Sequence, residues 1–318
     1  MTTDTDYLTD QATGQDWTLQ LGDSCERMAE IPDNSVHLSV YSPPFASLFT
    51  YSPTSRDLGN SASREEFIEH YSYIIRENLR ITMPGRLACV HVQQLTTTVA
   101  NHGYTGLTDF RGDVIRAYLD AGWIFHGEVT VNKDPQAQAI RTKAQALMFV
   151  TKNRDSSRTR PALADYLLLF RKPGDNPIPI KNDVTNEEWI DWAQPIWLDR
   201  GGADAAGEHL APVWLDIQET NTLNVRAGRD TADERHICPL QLDFIERCVR
   251  LWSNPGETVF TPFAGIGSEV YTARKLRRRG LGIELKPSYW RAAVANLRRL
   301  DDELDSPALF DLDSEVTS

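Results

Sequence analysis

The chain has 318 residues, 41% hydrophobic and 25% charged, enough apolar material for one large α/β domain or for a domain carrying an insertion. Its longest apolar runs, such as YLLLF at 166–170, fall far short of the roughly 20 residues a membrane helix requires, so no membrane partner is expected. The net charge of −12 argues against a nucleic-acid partner until its distribution is considered.

The first residues, MTTDTDYLTDQATGQD, are acidic and lack the basic and apolar regions of a signal peptide, so a cytoplasmic protein is expected. Strand-like WTLQLG (17–22) and SVHLSVYS (35–42) flank the helical DSCERMAEI, with Asp23 or Ser24 as its N-cap. The second strand runs into VYSPPFASLF (40–49). Proline fixes its own φ and lacks an N–H, so two in succession make a stiff corner whose preceding carbonyls have no ladder partner. Those acceptors are free to bind something else.

After a Ser63 cap, Phe67, Tyr71, Ile74, Ile75 and Leu79 keep helical spacing. GRLACVHVQ follows as a strand, then a helix over about 109–121 and strands near 123–132 and 163–172. From Pro173 to about Arg235 the periodicity fails, in a stretch rich in Pro, Asp, Asn and Gly with Trp189, Trp192, Trp197 and Trp214. So long a structureless loop is foreign to a compact domain, so an inserted subdomain or lid is expected. Alternation resumes with helix PLQLDFIERCVRLW, strand ETVFTPF, helix SEVYTARKLRRR, strand LGIEL and helix SYWRAAVANLRRL. The pattern predicts a Rossmann-like α/β fold, a mostly parallel sheet with helices on both faces.

In VFTPFAGIGSEVYTARKLRRRGLGIEL a strand, a glycine turn, a helix and a second strand end on an acid. Gly265 and Gly267 let the backbone approach a ligand, and Glu284 stands nineteen residues after Gly265, near the separation at which an acid receives ribose hydroxyls. The plain alternative is a tight strand–helix turn. No third glycine completes a dinucleotide fingerprint, so a nucleoside cofactor without pyrophosphate fits better, and S-adenosylmethionine is one.

Charge is unevenly placed. Residues 301–318 hold seven acids and no base, which predicts a solvated extension. Bases gather at Lys152, Arg154, Arg158 and Arg160, where no helical pattern is evident, and at Arg274–Arg279, where an exposed helix end is the plain explanation. The first cluster is the better candidate for phosphate contacts. Cys25, Cys89, Cys238 and Cys248 follow neither C-x-x-C nor ligand spacing, so reduced thiols and no metal are expected.

SPPF resembles the (Asp, Asn or Ser)-Pro-Pro-(Tyr, Phe or Trp) motif of DNA amino-methyltransferases, and FAGIGS resembles their F-x-G-x-G cofactor motif. The catalytic motif comes first and the cofactor motif about 220 residues later, an order similar to the beta class of bacterial and phage enzymes. The resemblance implies four segments: 1–172 as the catalytic half, 173–235 as an inserted target-recognition region, 236–300 as the cofactor half and 301–318 as an acidic extension. It implies S-adenosylmethionine as methyl donor and double-stranded DNA as partner, with a flipped-out base as acceptor. An exocyclic amine is a poor nucleophile because its lone pair is delocalised into the ring. Acceptors aimed at its protons favour a more tetrahedral nitrogen and stabilise the charge that develops on attack.

By resemblance the Ser42 hydroxyl and the Pro43 carbonyl supply those acceptors on the Pro43–Pro44 corner, and Phe45 stacks on the base. The plain alternative leaves a proline turn with Phe45 in the core. Phe263, Gly265 and Gly267 are implied at the methionine portion, Glu284 at the ribose and Pro239 at the carboxylate. Asp23 is implied near the adenine or amino group, and equally suits a helix cap. The family usually has Asp-Pro-Phe where this chain has Thr261-Pro262-Phe263, which leaves open how the methionine ammonium is held. Serine in the corner is seen mostly with N4-cytosine targets, so cytosine is expected before N6-adenine. A catalytically silent DNA-binding relative is a further alternative. Methylation of protein glutamine or RNA is disfavoured by motif order. Phosphate contacts are placed on Lys152, Arg154, Arg158 and Arg160, with Arg274–Arg279 or a homodimer that joins patches from two subunits as the competing arrangements.

Overall fold

The computed structural model describes residues 8–44, 58, 61, 63–97, 99–142, 144–199, 214–217, 221–223 and 239–306. A hairpin of β1 (Asp10–Gly14) and β2 (Trp17–Leu21) leads into α1 (Ser24–Met28) and β3 (Val36–Tyr41). Next come α2 (Arg64–Ile81), β4 (Thr82–Gln93), a small pair β5 (Leu95–Thr97) and β6 (Gly106–Thr108) around α3 (Val99–His102), then α4 (Phe110–Asp120) and β7 (Ile124–Val131). α5 (Pro135–Thr142) and α6 (Phe149–Arg154) precede β8 (Asp165–Arg171), and α7 (Asn186–Trp192) precedes β9 (Ile196–Asp199) and β10 (Trp214–Ile217). The chain closes with α8 (Leu242–Trp252), β11 (Thr258–Thr261), α9 (Ser268–Lys275), β12 (Arg279–Glu284) and α10 (Pro287–Asp305).

Ten strands form one sheet in the order β1-β2-β12-β11-β3-β4-β8-β7-β9-β10. β1 runs against β2, and β8 runs against both its neighbours, β4 and β7; the others share one direction. The mostly parallel sheet read from the sequence is therefore present. Central strands are buried on both sides, as such a sheet demands. On β4, Ala88, Val90 and Val92 face the core under α2 and α4, whereas Leu87 and Cys89 face the core under α8 and α9. α2 forms where the spacing predicts it: Ser63 accepts the Glu66 N–H, Glu65 and Glu66 face the helix N-terminus, and Phe67, Tyr71, Ile74 and Ile75 are buried. A third cluster under α10 joins Ala293, Val294 and Leu297 to Trp17 and Leu19.

Two expectations are altered. α10 continues through Asp305, where the sequence reading began a solvated extension at residue 301. Asp301 accepts from the Trp17 indole at 2.7 Å and from Arg274 at 3.0 Å, tying the helix end to β2 and α9. Within 173–235, the described residues belong to the main body rather than to a separate unit: β9 pairs with β7, β10 pairs with β9, and residues 176–188 are bound to Arg86, Arg278 and Arg250. Short strands without alternation and buried arginine tethers leave no periodic signal. Among the described residues no helix is long and apolar enough to cross a membrane, and no group of three His, Cys, Asp or Glu could hold a metal.

Candidate active site

β11 and β3 are hydrogen-bonded neighbours, with Val259 opposite Leu38 and Phe260 opposite Ser39. From β11 the chain passes to β12 on one side; from β3 it passes to β4 on the other. Strand order therefore reverses between them, which opens a crevice beyond their carboxyl ends. The glycine turn leaves the end of β11 and the Ser-Pro-Pro corner leaves the end of β3, so the two motifs meet at that crevice. The Phe263 ring stands edge-on to Tyr41, centroids 5.7 Å apart. Ser24 donates to the Pro262 carbonyl at 2.6 Å, and Gly22 N–H donates to the Glu284 carbonyl at 2.9 Å, which draws the end of β2 to the same edge.

Gly265 and Gly267 both have positive φ, +53° and +91°. A Cβ at Gly267 would stand 3.0 Å from the Ala293 Cβ, whereas one at Gly265 would enter open space. Glu284 ends β12 with one carboxylate oxygen accepting the Gly265 N–H at 2.7 Å and the other accepting the Lys286 N–H at 2.8 Å. The nineteen-residue spacing thus returns as a direct contact. Ser268 at the start of α9 has a buried hydroxyl with no hydrogen-bond partner among the described residues. An acid, an open glycine cradle and a spare hydroxyl suit the ribose and methionine ends of S-adenosylmethionine.

Other expected site residues are less direct. Asp23 caps α1, its carboxylate accepting the Cys25 N–H at 2.8 Å. Thr261 is fully buried and its hydroxyl accepts the Phe263 N–H at 3.3 Å, so it builds the turn. Pro239 is half-buried just before α8, whose first turn packs Phe244 against His91 at the site edge. Pro43 is buried and Pro44 half-buried; Phe45 lies outside the described residues.

Behind Ser42 lies a polar chain that the sequence reading did not single out. Tyr41 pairs with Val90, so Ser42 comes level with His91, whose Nδ1 is 3.2 Å from the Ser42 hydroxyl oxygen. His91 Nε2 is 3.1 Å from Asp165 Oδ2, which Lys133 Nζ also approaches to 3.1 Å, while Gln93 donates to Oδ1 at 2.7 Å. Burial pushes the Asp165 carboxyl up, but Lys133 and then His91 outweigh it and bring it down to about 2. A His, a Gln and an Asp at the ends of two apolar strands were the available signal. Nearby, the buried hydroxyls of Tyr41, Tyr71 and Tyr118 bond to one another, and burial pushes Tyr41 up to about 12.

Lys152, Arg154 and Arg158 are exposed, on α6 and the 3-10 turn that follows it, where the sequence showed no helical pattern. Lys152 and Arg160 line a cavity of about 500 Å³ together with Asn132, Lys133, Met148 and Phe149. It opens at the end of β7, beside the Lys133–Asp165 pair. The competing cluster lies elsewhere. Arg279 begins β12, at the amino-terminal ends of the parallel strands and opposite the crevice, Arg278 is buried against Asp183, and Arg274 pairs with Asp301.

Glu269, in the first turn of α9, is buried with no cation in ion-pair range among the described residues. Burial pushes its carboxyl from 4.5 up to about 8; its own backbone N–H opposes this and Glu284 adds to it. The folded state thus holds the proton more tightly, so stability from this group is complete below its ordinary value and is lost as pH rises towards 8. Glu269→Gln is expected to flatten the fall in unfolding free energy between pH 5 and 9. Urea unfolding at three pH values checks this, and an equally steep decline in the variant would refute it.

A profile of the DNA methylase family matches residues 36–295. The type II methyltransferase M.MjaI of Methanocaldococcus jannaschii is 23% identical over 294 residues, covering 82% of this chain and 85% of its own. The type II methyltransferase M1.MboII of Moraxella bovis is 25% identical over 278 residues, covering 86% and 93%. Among solved structures, a Thermus thermophilus protein proposed to be a DNA modification methylase, in complex with S-adenosyl-L-methionine, superposes with a TM-score of 0.62 at 23% identity, covering 88% and 94%. The cytosine-N4-specific PvuII DNA methyltransferase superposes at 0.63 and 17% identity, covering 93% and 94%.

Proposed function

The chain belongs to the N6/N4 family of DNA methylases, and from that premise we propose that it moves a methyl group from S-adenosylmethionine to the exocyclic amine of a base flipped out of duplex DNA, N4 of cytosine before N6 of adenine. The observation that carries this reading is the meeting of the Ser-Pro-Pro corner and the glycine turn on the adjacent strands β3 and β11 at the reversal of strand order. When bound, the cofactor supplies an electrophilic methyl on a sulfonium. Glu284 would take its ribose, the Gly265–Gly267 turn its methionine end, and Phe263 would pack beside it. Ser42 Oγ and the Pro43 carbonyl would accept the amino protons, drawing the nitrogen lone pair out of conjugation. Phe45 would stack on the base.

Incubation with labelled S-adenosylmethionine and DNA, followed by digestion to nucleosides, is expected to yield N4-methylcytosine. N6-methyladenine instead would overturn the choice of base. Cofactor binding without any transfer would favour a silent DNA-binding protein. The serine in the corner and the N4-specific structural relative support cytosine.

Position supports phosphate contacts at the first basic cluster. Lys152, Arg154, Arg158 and Arg160 share the site's side of the sheet, and the Arg274–Arg279 cluster does not. Neutralising each phosphate contact in the first cluster is expected to lower the slope of log affinity against log salt by roughly 0.9, with cofactor binding intact. Fluorescence titrations at several salt concentrations would measure it. An unchanged slope would move the contacts to another patch or to a homodimer.

A further inference from the structure

We propose that His91 and Asp165 form a proton relay behind Ser42, fixing its hydroxyl as an acceptor and taking up the proton that the target amine sheds. The inference rests on the reading of Ser42 as the residue that meets the amine, and goes beyond it by assigning the route of the proton.

The geometry sets the direction of each bond. The ionised Asp165 carboxylate, held by Lys133 at 3.1 Å and Gln93 at 2.7 Å, can only accept, so His91 Nε2 carries a proton and donates it across 3.1 Å. In a neutral imidazole Nδ1 is then bare and needs a donor. The Ser42 hydroxyl stands 3.2 Å away. That oxygen is also 3.2 Å from the His91 carbonyl, so its single proton has two acceptors, both on His91. The relay takes the choice of Nδ1, which leaves the Ser42 oxygen lone pairs to accept from another donor.

During transfer, the amine nitrogen bonds to the methyl carbon as the carbon–sulfur bond breaks and its electron pair stays on sulfur. The nitrogen becomes cationic and acidic. One N–H proton passes to Ser42 Oγ while the Ser42 proton passes to His91 Nδ1. The positive charge that began on the sulfonium ends on an imidazolium next to Asp165, and solvent later removes the proton. Lys133 keeps Asp165 ionised, and the Phe244 ring stands edge-on to the imidazole, centroids 5.3 Å apart, shielding it on the α8 side. His91 and Asp165 are positioning residues, since neither touches the base.

His91→Asn tests this, because its amide oxygen can still accept from Ser42 yet cannot take a proton. Its kcat is expected to fall about 100-fold or more, the usual scale for a lost general base. KM for DNA and cofactor affinity are expected to stay within about twofold. A variant with wild-type kcat overturns the relay. If Ser42→Ala loses activity in that case, the corner reading stands and only the relay falls; if Ser42→Ala is also fully active, the corner reading falls with it. Should His91→Asn fail to fold, nitrogen NMR of the wild-type protein still decides: an Nε2-protonated His91 is expected, and an Nδ1-protonated one refutes the relay.

Discussion

Glu257→Gln is expected to cost the fold about 3–5 kcal/mol, the usual consequence of stripping one partner from a buried ion pair. Arg86 is fully buried, and two of its nitrogens meet the Glu257 carboxylate at 3.0 and 2.5 Å. Its remaining donors go to Asn176 Oδ1 at 3.0 Å and the Ile178 carbonyl at 2.9 Å. Neither is charged, so the variant leaves a guanidinium with no counter-ion among the described residues. Burial raises the Glu257 carboxyl, but the Asn254 N–H and Arg86 outweigh this and hold it below its ordinary value. A depressed folded value means that the stabilisation is present at neutral pH and is lost as acid titrates the group. Urea unfolding at pH 7 reads the effect. A loss under about 1 kcal/mol would show that the pair does not anchor the fold. Arg86→Met combined with Glu257→Gln is expected to recover much of the loss. Cofactor affinity in the single variant is expected to hold, because this pair sits at the amino-terminal edge of the sheet, away from the glycine turn.

That edge explains what could and could not be read from residues alone. The spacing from Gly265 to Glu284 was legible because strand, turn, helix and strand follow one another directly, and local order fixes their packing. The Ser-Pro-Pro corner was legible for a similar reason: proline chemistry acts where it stands. The chain of Ser42, His91, Asp165 and Lys133 was not. It depends on β8 entering between β4 and β7 in the opposite direction, which brings together residues 74 apart for His91 and Asp165. No periodicity encodes that register. The same holds for the described residues of 173–235, whose lack of pattern predicts an inserted subdomain or lid. Their order comes instead from Arg86, Arg250 and Arg278, each supplied by a distant element. The basic run at 274–279 reads as a solvated helix end, yet two of its members are paired with carboxylates of other segments, Arg274 with Asp301 and the buried Arg278 with Asp183.

Glu284→Gln is expected to weaken S-adenosylmethionine binding roughly 10- to 150-fold, since a hydrogen bond to a charged group contributes about 1.5–3 kcal/mol. Glutamine is the informative replacement because the carboxylate has a second task. Its two oxygens accept the Gly265 and Lys286 N–H groups, and alanine would orphan both donors at once, mixing a loss of turn geometry with a loss of ligand contact. With glutamine one oxygen remains to accept, and the amide nitrogen faces whichever donor is left. The glycine turn then keeps most of its shape while the charge is removed. Duplex affinity without cofactor is expected to change little, because the basic cluster at 152–160 stands apart from β12. Calorimetric titration of the cofactor, paired with a DNA titration, measures both. Unaltered cofactor affinity would place the ribose elsewhere and leave Glu284 as a brace for the turn alone.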